Sequence, residues 1–184
     1  ADFVNALAAG AGPDVFMFRS SWLPKHTDKL VPANPNQISV ATLQSFPTVV
    51  AQDFAPNGTV YALPLYIDTL ALFTNRDLFD SAGVALPPKT WKEFETIATN
   101  PKLRTVDRAG KIIQSGAAFG GSSRAIKHAT DLLSVLMLQS GVLMVSSDFD
   151  RANFAGGDIA LRFYTNFSNP ASPDYTWSDG LGNG

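Results

Sequence analysis

An α/β architecture is what this sequence predicts, and three observations carry the expectation. Short apolar, β-prone runs recur at residues 15–18, 61–75 and 116–119. Stretches with apolar residues at helical spacing lie among them, the strongest at 124–140. Turn chemistry separates the two kinds, and chains that alternate strands with amphipathic helices pack helices on a sheet.

The stretch 61–75 organises the rest. It carries a single charge, Asp68, and over 69–74 it is nearly continuous in apolar and β-prone residues. Such a run is expected of a strand covered on both faces. Pro64 argues against a central strand place just before it, so the segment enters as an edge or crossover piece. A stretch of this kind suits a connection between two lobes.

Taken in order, residues 2–9 have helical composition, with Phe3 and Leu7 on one face and Gly10 as a stop. Residues 15–18 form a short apolar strand, and Arg19-Ser20-Ser21-Trp22 follow as a polar loop. A polar loop at the end of a buried parallel strand is where open α/β sheets place ligands. Equally, it reads as a surface loop with Trp22 folded back on the core. Residues 24–38 read as loop, and a helix over 42–50 is interrupted by Pro47. Asn57-Gly58 is a two-residue hairpin signal.

Residues 76–82 form a short helix ended by Gly83, and Thr90-Trp91-Lys92-Glu93 fits a capping box. Trp91, Phe94, Ile97 and Ala98 supply the apolar stripe of the helix that follows. Asp107-Arg108-Ala109-Gly110 turns a hairpin, and 116–119 runs as a strand into Gly120-Gly121-Ser122-Ser123. In the helix 124–140, Ile126, Ala129, Leu133, Leu136, Met137 and Ser140 share a face, and Gly141 ends it. Asp158 caps a last helix with Ile159, Phe163 and Phe167 four apart. The tail 173–179 is aromatic and polar without a period.

The bulk properties bound the function. At 184 residues the chain is one large domain or two small lobes, and 45% hydrophobic content supplies a core. A net charge of −2 leaves no basic footprint, which argues against nucleic acid as partner. The absence of cysteine excludes disulfides and thiolate metal sites. No stretch approaches the roughly 18 apolar residues of a membrane span. The sequence opens at Ala1 in mid-helix without initiator methionine or signal peptide and stops at Gly184, so it reads as a piece of a longer protein.

Catalysis is poorly served. Only His26 and His128 are present, and no G-x-S-x-G elbow occurs. Ser122, Ser123, His128 and Asp131 lie close in sequence, but Ser123 reads as an N-cap and His128 as exposed. Asp148, Asp150 and Asp158 fail the spacing of a calcium loop. Gly120-Gly121-Ser122-Ser123 could hold an anion on its amides or simply make a tight turn; it lacks a P-loop lysine. Asn57-Gly58-Thr59 and Asn166-Phe167-Ser168 match the glycosylation pattern, which counts only in a eukaryotic secretory setting. What remains is Trp22, Tyr66 and Trp177 at turns, with Asp68, Ser122, Ser123 and Asp179 beside them. Aromatic faces with carboxylates and hydroxyls suit a polyhydroxylated ligand. Each aromatic alone also fits a core position.

Several strings point further when read in order. They are Ala8-Ala9-Gly10, Pro13-Asp14-Val15, Tyr61-Ala62-Leu63-Pro64 with Asp68, and Leu72 with Asn75. Asp77-Leu78-Phe79, Ala82-Gly83, Pro88-Lys89-Thr90-Trp91-Lys92-Glu93-Phe94, residues 136–141 and Tyr175-Thr176-Trp177 complete the series. Over nearly the whole chain, this resembles the extracellular solute-binding proteins of bacterial ABC importers, in the sugar-binding family that includes maltose-binding protein.

The resemblance implies a periplasmic-binding-protein-like fold of two α/β lobes around a central cleft, incomplete in this chain. Residues 1–64 would belong to the first lobe and 65–184 to the second, with a hinge crossover around 61–75. It implies that Arg19, Ser21 and Trp22 form a first wall and that Tyr66 and Asp68 face the cleft. Gly121, Ser122 and Ser123 would form the second wall, with Trp177 and Asp179 near it. The ligand would be a sugar or oligosaccharide and the partner a membrane permease, with no enzyme activity, metal or cofactor. The protein would be an extracytoplasmic monomer, lipid-anchored in the manner of many family members. The family has strands ahead of Ala1 and continues past Gly184, so unpaired edges and low stability are expected of the chain alone. Two rival readings are a peptide, polyamine or anion binder of the same fold, and a carbohydrate-active enzyme using Asp68 and Asp179.

Overall fold

A computed structural model describes residues 2–147 and 150–181. Ala1, Asp148 of the acidic scatter and the last three residues, 182–184, lie outside the described residues. The chain divides into two compact units, Ala1–Thr69 and Leu70–Gly184.

In the first unit, α1 (Asp2–Ala8) ends as expected at Gly10, whose φ of 70° is open to glycine without strain. Residues 15–18 join no ladder, and the chain bends at Val15. Phe16 and Phe18 turn inward, in a ring series running from Phe3 through both to Phe54, while Val15 is 88% exposed. The expected strand is therefore an irregular segment with alternating burial, held by its rings. A single helical turn, α2 (Leu23–His26), buries Leu23. Pro47 does interrupt the next helical stretch, separating a 3-10 segment, Val40–Ser45, from α3 (Thr48–Phe54). Leu43, Val50, Ala55 and Val60 form the small core there. Asn57 and Gly58 take the positive φ that an Asn-Gly pair favours, 54° and 78°. No hairpin results, because α3 precedes the turn; one bond, Tyr61 N–H to the Phe54 carbonyl at 2.9 Å, closes it.

The second unit opens at Leu70, and residues 71–75 form no strand, with Phe73 91% exposed. The expected covering on both faces is corrected here. Apolar β-prone composition makes a strand only where a neighbour completes the ladder. Next, α4 (Arg76–Ala82) is capped by the Asn75 side chain, which accepts the Leu78 N–H at 3.1 Å, and ended by left-handed Gly83. At α5 (Trp91–Ala98) the Thr90 hydroxyl accepts the Glu93 N–H at 3.2 Å. The Glu93 carboxylate accepts the Lys89 N–H at 2.7 Å, so the second half of the box reaches one residue earlier than expected.

The predicted hairpin forms, with β1 (Thr105–Val106) antiparallel to β2 (Ile112–Gln114). Asp107 Oδ1 accepts the Ala109 and Lys111 amides across its turn, both at 2.9 Å. The next helix starts later than expected, as α6 (Ala129–Gln139), and His128, not Ser123, stands at its N-cap. The Ser122 carbonyl takes the Ala125 and Ile126 amides at 3.0 and 2.8 Å, tying the intervening residues into a separate turn. A short hairpin, β3 (Met144–Val145) with β4 (Ala152–Asn153), follows. Met144 sits at φ 56° inside a three-residue turn, Val145 N–H to the Leu143 carbonyl at 2.7 Å, a strained place for a side chain.

The last helix, α7 (Asp158–Asn166), keeps the predicted stripe at Phe163 and Phe167 but not at Ile159. Ile159 is 68% exposed, while Ala160, Tyr164 and Phe167 are buried and Phe163 packs beside them. The core of this unit gathers on Phe119. Its ring lies within 5.0 Å of Phe94 and Phe167, 4.8 Å of Tyr164 and 5.6 Å of Trp91. Phe119 is thus buried although residues 116–119 form no strand and Ala118 is exposed. Among the described residues the strands form only two two-stranded antiparallel sheets, and helices make up most of the regular structure.

Candidate functional site

One corner of the second unit brings together predicted residues far apart in sequence. Asp179, in a 3-10 turn Asp179–Leu181, lies against the loop 120–123. The Ser122 N–H donates to Asp179 Oδ1 at 3.0 Å, and the Ser122 hydroxyl donates to Asp179 Oδ2 at 2.6 Å. The same hydroxyl oxygen accepts the Arg124 N–H at 3.3 Å. Both oxygens of an exposed carboxylate are thereby pinned, while lone pairs remain free toward solvent.

The loop is shaped for this approach. A Cβ on Gly121 would lie 2.4 Å from Trp177 Nε1 and 2.6 Å from Asp179 Oδ1, so a side chain there would displace both. Two further hydroxyls hold the loop from behind: Tyr164 donates to the Gly121 carbonyl at 2.8 Å and Ser168 to the Gly120 carbonyl at 2.7 Å. Buried Thr176 anchors the strand of chain that carries Trp177 and Asp179. Its hydroxyl donates to the Ala98 carbonyl and accepts the Gly116 N–H, both at 2.9 Å. Trp177 is 5% exposed, and its enclosed indole N–H has no hydrogen-bond partner of regular geometry.

Electrostatics follow the geometry. The Ser122 hydroxyl first, then the Ser122 amide, hold the Asp179 carboxyl below its usual range, with Trp177 and Arg124 adding to the effect. Burial pushes the Tyr164 hydroxyl up to about 12, so it remains a donor to the loop. A folded-state pKa below the unfolded one gives a contribution that is complete above the ordinary aspartate value of 3.8 and is lost as pH falls through the lowered value. The Ser122 amide resonance is therefore expected to titrate with a midpoint below 3.8, and Asp179→Asn to abolish that step. A midpoint at or above the ordinary value would contradict the pinned carboxylate.

The other predicted residues lie elsewhere. Ser123 is exposed beside the corner. Arg19, Ser21 and Trp22 lie in the first unit, around the 3-10 turn Ser20–Trp22. Trp22 is half-exposed, its ring 5.9 Å from His26, and with Ser21, Val4, Asn5 and Lys25 it lines an open depression. Tyr66 and Asp68, at the end of the first unit, are both exposed, and Asp68 Oδ1 accepts the Thr69 N–H at 3.0 Å. Sequence reasoning missed Tyr164, Ser168 and Thr176. Their hydroxyls act on carbonyls 43 or more residues away, and no local pattern marks such partners.

Residues 1–178 match the family model described as bacterial extracellular solute-binding protein. The maltotriose-binding protein of Pyrococcus abyssi is 30% identical over 93 residues, 50% of this chain and 19% of that protein. The maltodextrin-binding protein MdxE of Bacillus subtilis is 34% identical over 74 residues, 40% of this chain and 16% of that protein. A Deinococcus radiodurans protein named "Probable ABC transporter-binding protein" is 27% identical over 116 residues, 63% of this chain and 27% of that protein. The chain thus spans between 16% and 27% of the length of these curated relatives. No solved structure matches it.

Proposed function

This chain belongs to the bacterial extracellular solute-binding proteins, and from that premise we propose that it captures a sugar or oligosaccharide outside the cytoplasm for delivery to an ABC-importer permease. It binds and releases its ligand without altering it. The observation that carries the reading is the pinned, exposed Asp179 on Ser122, with Trp177 packed beneath the same loop. A fixed carboxylate with free lone pairs accepts hydroxyl donors at little ordering cost, because its side chain is already held. The names of two relatives, for maltotriose and maltodextrin, point to α-linked glucose oligomers as the first ligands to try.

In this reading Gly121, Ser122, Ser123, Trp177 and Asp179 belong to the ligand site. Arg19, Ser21, Trp22, Tyr66 and Asp68 are further ligand contacts. The division into lobes at 64/65, the monomeric state, the lipid anchor and the permease partner are parts of the same proposal. Binding would shift an open–closed equilibrium, which the permease would read.

Calorimetric titration of the chain with glucose, maltose and maltotriose tests this. Saturable heat with one of them is expected, weakened at least about tenfold by Asp179→Ala, as suits loss of a charged hydrogen-bond acceptor. Flat heats for all three, with binding instead of phosphate, a polyamine or a peptide, would replace the sugar reading by another solute class.

A further inference from the structure

We propose that Asp179 is a charge filter: seated on the Ser122 amide and hydroxyl, it makes the corner accept uncharged, hydroxyl-bearing ligands and reject carboxylates. Resting on the reading that this corner touches ligand, the inference deepens it by naming the excluded class. The argument begins with the donors. The Ser122 N–H and O–H meet the two oxygens of one carboxylate at 3.0 and 2.6 Å, the arrangement with which a protein would bind a free carboxylate ligand. The Arg124 main chain approaches from the same side, and its side-chain charge acts on Asp179.

A second observation concerns the indole. Trp177 Nε1 is enclosed and lies with Asp179 Oδ1 around the open side of Gly121. A buried N–H is costly unless an acceptor faces it, and the Asp179 carboxylate is the acceptor beside this one. Beside the carboxylate it supplies one more positive dipole toward the place where the negative charge sits. The whole donor set, two groups of Ser122 and one of Trp177, is thus built for an anion, and the chain supplies that anion itself.

With the internal carboxylate in place, the surface offered to ligand reverses sign. What faces outward is a fixed negative charge with free lone pairs, which welcomes O–H donors and repels an acidic sugar. An external carboxylate cannot easily displace the internal one, because the tether keeps Asp179 at a high effective concentration. Removing the side chain should uncover a site of opposite preference. Glycine at 121 permits this arrangement, since any Cβ there would strike both Trp177 and Asp179.

Asp179→Gly and Asp179→Asn chains, each checked for cooperative unfolding, test the filter with two probes: formate, and glucuronate against glucose. Formate is expected to raise the melting temperature and quench tryptophan emission of Asp179→Gly, and to leave the parent chain unchanged. Adding Ser122→Ala should abolish that response. Glucuronate binding, relative to glucose, should rise about tenfold or more in both Asp179 variants, the size of one charge-assisted contact. No formate response in a folded Asp179→Gly, or glucuronate bound as well as glucose by the parent, would overturn the proposal. If the parent binds no sugar at all while formate still rescues Asp179→Gly, the carboxylate-holding corner stands and the sugar reading falls.

Discussion

Gly116→Ala is expected to destabilise the second unit by about 3 kcal/mol or more, a large share of a domain's total stability. A Cβ at Gly116 would lie 1.8 Å from the Ala98 carbonyl oxygen and 2.7 Å from its carbon. Those are main-chain atoms at the end of α5, so no side-chain rotation relieves the overlap. The Thr176 hydroxyl, 3.0 Å from the same position, joins the two segments by bonding to both. Forcing them apart would leave buried Thr176 and its partners unpaired, a further cost. Because Thr176 directly precedes Trp177, the damage would reach the corner that holds Asp179. Gly110→Ala is the control. Its φ of 81° makes alanine strained, but nothing lies within 4 Å, so a loss of about 1 kcal/mol is expected. Urea denaturation of both variants reads the difference directly. Equal midpoints would refute the close-approach argument.

Phe119→Ala is the second large effect, about 3–5 kcal/mol. The ring is 3% exposed and packs edge-on or tilted against Trp91, Phe94, Phe163, Tyr164 and Phe167. Its removal opens a cavity at the meeting point of α5, α7 and the turn before α6, and none of these can close without losing other contacts. Phe73→Ala makes the comparison. At 91% exposure that ring should cost no more than about 0.5 kcal/mol. Phe119 also stands two residues before Gly121, which approaches Trp177, so its loss should broaden the Ser122 and Gly121 amide resonances before the unit unfolds. Retention of parent-like stability by Phe119→Ala would mean that the ring cluster contributes little.

Much of the local structure was legible residue by residue. Gly10, Gly83 and Gly141 mark helix ends with φ of 70°, 74° and 82°, and Pro47 parts two helical segments. The Thr90 half of the capping box uses a bond spanning three residues, as does the Asn75 cap, which sequence reasoning missed. The strands at 15–18, 69–74 and 116–119 were not legible in the same way. Their composition states only that they favour extended backbone and burial, and a ladder requires a neighbour that composition does not name. α7 shows the same limit from the helical side. Ile159, Phe163 and Phe167 were a fair apolar stripe, yet Tyr164 is buried in place of Ile159 because its hydroxyl finds the Gly121 carbonyl.

The candidate site divides along the same line. Residue types alone, hydroxyls and carboxylates beside aromatics at turns, made Trp22, Tyr66, Asp68, Ser122, Ser123, Trp177 and Asp179 the candidates for a polyhydroxylated ligand. That Ser122 and Asp179, 57 residues apart, bond through both carboxylate oxygens was decided only by the tertiary structure. The physical reason is range. Caps, turns and helix stops are settled by hydrogen bonds within a few residues, which the local sequence contains whole. A clamp on Asp179 depends on a bare Cα at Gly121, a buried indole at Trp177 and the Thr176 anchor meeting at one point, and packing alone brings those distant residues together.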